Sequence, residues 1–236
     1  MMNRETAASE AAAAEPTEVK KSVTYLFVRH GEAEGNREHR FIGQIDVPLS
    51  DLGRQQAALV SGRLHAHGVS RILSSDLQRA ANTLRPLADL GVPMRLEPRL
   101  REIHNGEWGG LLPDEIEAGW PDMWRRYRGG EDVPRPGGER WVDVAQRAIE
   151  AITHDAESAE DGEVVAVASH GGPLMAIITW ALGLVADGSI FRGRIAPIRN
   201  ASVSTILLPR HRVVGLNDVG HLGDLATDGR LRFLER

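Results

Sequence analysis

Two short stretches carry side chains that could do chemistry. Arg29-His30-Gly31 follows the β-forming run Val23 to Val28, and Ser169-His170-Gly171-Gly172 follows the apolar run Val164 to Ala168. A histidine can act as nucleophile or proton carrier. An arginine beside it can hold an anion through two parallel hydrogen bonds. Each group stands where a buried strand opens into a loop, and in open α/β sheets that end is where ligands bind. Gly31 lets the backbone turn with no side chain in the way.

Further candidates lie between these two junctions. Arg79 falls in Asp76-Leu77-Gln78-Arg79-Ala80, which opens a helix after the short strand Arg71 to Ser75. With Ser75 or Asp76 as N-cap, Arg79 lies within a turn of the helix start, where anions are favoured. Glu102 and Glu107 follow a third strand at Pro93 to Pro98 and supply carboxylates for proton transfer. Neither Gly-x-x-x-x-Gly-Lys nor His-Glu-x-x-His occurs, so charge must be stabilised by side chains, with no metal or other cofactor expected. His65 and His67 are two apart on one helix and do not share a face, which makes them poor joint ligands.

The elements that position these residues alternate. Strand Ser22 to Arg29 leads through a polar loop to Ser50, an N-cap for the helix Asp51 to His67, with Gly68 as its stop. A long helix is expected over Glu139 to Glu157, then the strand Glu163 to Ser169 and a helix to Leu182. Val203 to Leu208 and Arg212 to Leu216 read as two more strands, and Leu231 to Leu234 as an edge strand or tail. Strand–helix alternation of this kind predicts a three-layer α/β/α sandwich with a mostly parallel central sheet. Residues 1–21 are rich in Ala and Glu without an apolar face and read as a disordered tail, leaving 22–236 as one domain. Near 108–140, Trp108, Trp120, Trp124 and Trp141 cluster with Arg125, Arg126, Tyr127, Arg128 and recurring Pro and Gly. This segment reads as a cap insertion of one or two short helices, most of its tryptophans packing it onto the body.

Composition narrows the partners. A net charge of -5 gives no signal for nucleic acid or an anionic membrane surface, so an anionic ligand needs a local basic site. No apolar run is long enough to span a bilayer. The chain has no cysteine, which removes thiolate chemistry and fits a cytoplasmic setting.

The ordered motifs resemble those of the histidine phosphatase superfamily, the phosphoglycerate mutase-like family. Leu26 to Asn36 is similar to its Arg-His-Gly signature, Gly43 to Gly53 to its substrate loop, and Ser74 to Ala80 to its second arginine motif. Leu100-Arg101-Glu102 with Gly106-Glu107-Trp108 is similar to the acid motif, Pro136 to Glu139 to the block before the long helix, and Ser169 to Gly172 to the second histidine motif. Asn200-Ala201-Ser202 and Asn217-Asp218 with His221-Leu222 resemble the C-terminal blocks.

The resemblance implies a phosphoglycerate mutase-like fold and a phosphohistidine mechanism. In it His30 is the nucleophile, Glu102 the acid and base, and Arg29, Arg79 and His170 the clamp on the phosphoryl group. Asn36, Gly43, Gln44 and Gly171 are the expected substrate contacts. Neutral imidazole beside a protonated carboxyl implies an acidic-to-neutral optimum that moves with the substrate. Family mutases commonly carry Glu-Arg-His-Tyr-Gly where this chain has Glu102-Ile103-His104-Asn105-Gly106, which favours hydrolysis of a small phosphomonoester, a sugar phosphate or phosphoglycerate derivative. His104-Asn105 and Gly110 depart from the commoner motif and leave the ester itself open. A mutase, and a binding module with no turnover, are the alternatives, and a monomer and a homodimer are both compatible with the family.

Overall fold

A computed structural model describes residues 21–35, 38–184 and 197–227. The expected substrate contact Asn36, residues 1–20 of the expected tail and the run Leu231 to Leu234 lie outside the described residues. The elements are β1 (Val23–Arg29), α1 (Asp51–Ala66), β2 (Arg71–Ser74), α2 (Gln78–Ala88), β3 (Met94–Leu96), α3 (Pro113–Gly119), α4 (Pro121–Arg128), α5 (Trp141–Ser158), β4 (Val164–Ser169), α6 (Gly171–Ala181), β5 (Val203–Leu208) and β6 (Arg212–Asp218).

One six-stranded sheet runs β3-β2-β4-β1-β5-β6. β1, β2, β3 and β4 pair in parallel, and β5 and β6 extend the sheet antiparallel. Alternate residues of β1 face opposite layers, as the period of a strand requires. Tyr25 and Phe27 pack with α5 and α6 residues such as Val144, Ala148 and Ile177, while Leu26 and Val28 pack with Val60 and Leu64 of α1 and Leu84 of α2. The result is the expected three-layer sandwich. β3 is shorter than expected, because its outer edge is free and Arg95 and Leu96 are exposed.

Ser50 caps α1 as expected, accepting from Gly53 N at 3.1 Å. At α2 the expectation fails. Leu77 is the N-cap residue, and Asp46, in the loop between β1 and α1, accepts from Gln78 N at 2.8 Å. Asp76 is drawn away because Arg101 holds its carboxylate with a two-pronged ion pair. In the tryptophan-rich segment, α3 and α4 build a small apolar cluster of Trp108, Ile116, Trp124 and Val133, with Phe41 and Tyr127 against it. Among the described residues no helix is long and apolar enough to cross a membrane.

Candidate active site

The two histidine junctions meet because of strand register. β1 and β4 are adjacent and parallel, with Arg29 opposite Ser169, so both strands end at the same level. His30 N then donates to Ser169 O at 2.9 Å. The imidazoles of His30 and His170 stand 5.1 Å apart, tilted by 58°. Both side chains are buried at the carboxyl edge of the sheet.

His30 is held from several sides. Its Nδ1 lies 2.7 Å from Gly31 O. A carbonyl can only accept, so Nδ1 carries the proton and Nε2 keeps its lone pair. Asn200 Nδ2 donates to His30 O at 3.0 Å, and Thr83 Oγ1 accepts from Gly31 N at 2.9 Å. Burial, then the positive charges of Arg79 and Arg29, push the His30 pKa well below its ordinary value. His170 is pushed down the same way, by burial and then Arg79. Its Nε2 is 2.9 Å from Ser75 Oγ, while its Nδ1 is buried with no hydrogen-bond partner.

Gly31 is required for space. It lies outside the left-handed residues, and a Cβ there would stand 2.7 Å from Gly53 O at the start of α1. The turn from β1 therefore depends on two backbones touching.

The two arginines come from different elements. Arg29, the last residue of β1, donates from Nη1 to Ile198 O and has a buried Nε with no partner. Arg79, in the first turn of α2, donates to Ile45 O at 2.9 Å and Gly43 O at 2.6 Å. Gly43 thus supports Arg79 through its carbonyl. Its φ of 54° and the 2.7 Å approach of Ile103 O to a Cβ position both demand glycine.

Glu102 completes the cluster. Its carboxylate accepts from Ile103 N at 2.9 Å and from Gly172 N, in the first turn of α6, at 3.2 Å. A Cβ on Gly171 would lie 3.8 Å from both Arg29 Nε and Glu102 Oε2, so these groups converge at the start of α6. Gln44 directs its amide to Glu102 O at 3.0 Å and Glu139 Oε2 at 3.4 Å. Glu107 is exposed and stands apart.

Arg29, His30, Arg79, Glu102, His170 and Gly171 are thereby brought together, with Gly43 and Gln44 behind them. Several contributors escaped the sequence reading: Ser75, which meets His170; Gly172, which admits Glu102; and Asn200, which holds the His30 carbonyl. Ser75, Gly172 and Asn200 all sit inside motifs that the sequence shares with the family, and that placement was the available signal. Arg135 carried none. It is a buried guanidinium in the cap, 5.0 Å from the Trp141 ring centre, 5.5 Å from Tyr127 and 5.7 Å from Trp108.

Buried neutral imidazoles beside two guanidiniums and a carboxyl can bind an oxyanion and exchange a proton with it. The comparisons agree with that chemistry. The sequence profile of the histidine phosphatase superfamily (branch 1) matches residues 25–218. A glucosyl-3-phosphoglycerate phosphatase of Mycolicibacterium vanbaalenii is 38% identical over 170 residues, covering 69% of this chain and 75% of the relative. A probable phosphoglycerate mutase GpmB of an Enterobacter species is 37% identical over 186 residues, covering 76% and 82%. Among solved structures, Bacillus stearothermophilus YhfR superposes with a TM-score of 0.76 at 31% identity, covering 85% of this chain and 99% of that one. A mycobacterial glucosyl-3-phosphoglycerate phosphatase in complex with VO3 gives 0.72 at 30% identity, covering 82% and 98%. The chain belongs to the histidine phosphatase superfamily.

Proposed function

We propose that this protein hydrolyses small organic phosphomonoesters through a phosphohistidine formed on His30. The observation that carries this reading is the Gly31 carbonyl on His30 Nδ1, which leaves the Nε2 lone pair as nucleophile. In the first half-reaction Nε2 bonds to phosphorus as the bond to the leaving oxygen breaks, and Glu102 gives that oxygen its proton. Arg29, Arg79 and His170 hold the peripheral oxygens, whose charge they stabilise without needing a metal ion. In the second, Glu102 takes a proton from water, the water oxygen bonds to phosphorus, and the N–P bond returns its electron pair to Nε2. Inorganic phosphate leaves. Gly171, at the start of α6, keeps side-chain bulk away from the phosphoryl group, while Gly43 and Gln44 set the arginine and acid that touch it.

The name of the Mycolicibacterium relative supports a sugar phosphate or phosphoglycerate-like ester. The GpmB-named relatives favour a second reading, phosphoglycerate isomerisation. A phosphate-release screen over a panel of phosphomonoesters, with chelator present and H30A as control, tests the first. Release from a preferred ester, lost in H30A, is expected. Isomerisation of 3-phosphoglycerate without phosphate release would replace hydrolysis by the mutase reading.

A further inference from the structure

Gln56 is a buried amide that the phosphoryl clamp does not use. It lies in α1 and is wholly shielded from solvent. Glu32 N donates to its Oε1 at 2.8 Å, and its Nε2 donates to Leu225 O at 2.8 Å. A backbone N–H can only donate and a carbonyl can only accept, so both ends of the Gln56 amide are fixed.

Glu32 N belongs to the same peptide unit as Gly31 O, the carbonyl 2.7 Å from His30 Nδ1. One chain of hydrogen bonds therefore runs from the His30 imidazole through the Gly31–Glu32 peptide and the Gln56 amide to Leu225 O, in the turn Gly220–Leu225. Each bond in such a chain polarises the next, so an acceptor on Glu32 N makes Gly31 O a stronger acceptor for His30. Glycine leaves its backbone free to rotate, so Gly31 does not by itself fix where its carbonyl points. The peptide before it is held from other elements: His30 O accepts from Asn200 Nδ2 at 3.0 Å, and Gly31 N donates to Thr83 Oγ1 of α2 at 2.9 Å. The peptide that faces the imidazole is held from α1, through Gln56. The free histidine side chain, when neutral, favours the proton on Nε2, the nitrogen that must stay bare for attack on phosphorus.

We infer that Gln56 is a positioning residue for the nucleophile. It orients and polarises the Gly31–Glu32 peptide, so that neutral His30 keeps its proton on Nδ1 and its lone pair on Nε2. The kinetic consequence rests on the phosphatase reading of the His30 site; the tautomer does not.

The test combines turnover of p-nitrophenyl phosphate with nitrogen NMR of His30 in the ligand-free protein. Q56M keeps the length of the side chain and removes both hydrogen bonds. It is expected to lower kcat about tenfold with KM within about twofold, and to let part of the neutral His30 population carry its proton on Nε2. Q56E keeps an acceptor for Glu32 N and should restore both readouts. If Q56M fails to fold, Q56N, whose amide is one methylene short of Glu32 N, is measured in its place with the same expected losses. A variant that melts lower yet keeps wild-type kcat and the Nδ1-protonated imidazole would reduce Gln56 to packing between α1 and Leu225 and overturn the inference. A fall in kcat with the tautomer unchanged, or equal losses in Q56E, would overturn it too. If the intact protein releases phosphate from no ester, the phosphatase reading falls, and the His30 tautomer in the variant still decides the role of Gln56.

Discussion

Glu139 and Arg147 form a doubly bonded ion pair, Nε to Oε1 at 2.8 Å and Nη2 to Oε2 at 3.0 Å, which grips the loop carrying Glu102. Arg147 donates to Arg99 O and Arg101 O, both at 2.6 Å, and to Glu102 O at 3.0 Å. Glu139 accepts from His104 N at 2.7 Å. Neither side chain is placed to touch substrate, so both act by positioning the acid. R147M is expected to lower kcat by about 10- to 100-fold with little change in KM, since a small misplacement of an acid costs rate. R147K should not rescue it, because one ammonium cannot serve all of these acceptors. Steady-state kinetics with both variants decide the matter, and an unchanged kcat in R147M would refute the role.

The histidines give a pH prediction with a definite sign. Both His30 and His170 have folded pKa values pushed well below the unfolded one. Below about pH 6.5 the unfolded chain therefore binds protons that the folded chain refuses. Stability is full above that pH and falls as pH drops, by up to ~1.4 kcal/mol per pH unit for each histidine. Denaturant titrations between pH 7.5 and 5.5 should show this slope, reduced by about one histidine's share in H30N. In ligand-free protein at pH 6, nitrogen NMR should find His30 neutral with its proton on Nδ1. A charged imidazole at that pH would contradict the nucleophile assignment.

The strands and long helices were legible because their apolar periods are strong and their stops are Gly and polar clusters. Arg29-His30 and Ser169-His170 were legible as strand ends, and the continuous apolar runs before them fit parallel strands buried on two faces, but the register that sets Arg29 opposite Ser169 is visible only in the fold. The α2 cap was misread because Asp76 looks like a local cap while Arg101, distant in sequence, claims it. Arg125 and Arg126, which stand out in sequence as part of a basic run in the cap, pair with Asp122 and Glu131 on the surface. Arg135 directly precedes the Pro136 to Glu139 block, but nothing in that block tells of its burial, and only the folding of Trp108, Tyr127 and Trp141 around one point marks it.

Gly172 sets a steric limit at the site. A Cβ there would stand 2.5 Å from Glu102 Oε1 and strike the Trp141 ring. G172A is expected to displace the acid and lower kcat about 100-fold or more. G62A is the matched control, since nothing lies within 4 Å of a Cβ at that exposed position in α1. It should raise stability by about 0.5–1 kcal/mol and leave the rate alone. Melting curves and kcat for the two variants make the comparison; wild-type turnover in G172A would mean that Glu102 tolerates a shift.

The far end of the sheet carries stability that the chemistry does not use. Asp155 of α5 is buried and accepts from Tyr25 Oη at 2.8 Å, from Arg71 at 2.8 and 2.9 Å and from Arg95 at 2.7 Å. Burial works to raise its pKa, but the hydrogen bonds from Arg71 and Tyr25 outweigh it and hold the carboxyl below its ordinary value. Its contribution is therefore present above about pH 4 and is lost as pH falls through the lowered pKa. D155A takes the acceptor from the buried Tyr25 hydroxyl and one carboxylate from each of Arg71 and Arg95, which keep Glu163 and Glu97, and should cost roughly 1–3 kcal/mol. Tyr25 lies five residues before His30 on β1, or about 16 Å along the strand. Turnover of the folded D155A protein should accordingly stay within about twofold of wild type while its melting temperature drops. Loss of activity without loss of stability would mean that the two ends of the sheet are coupled, and that the network positions the site as well as the fold.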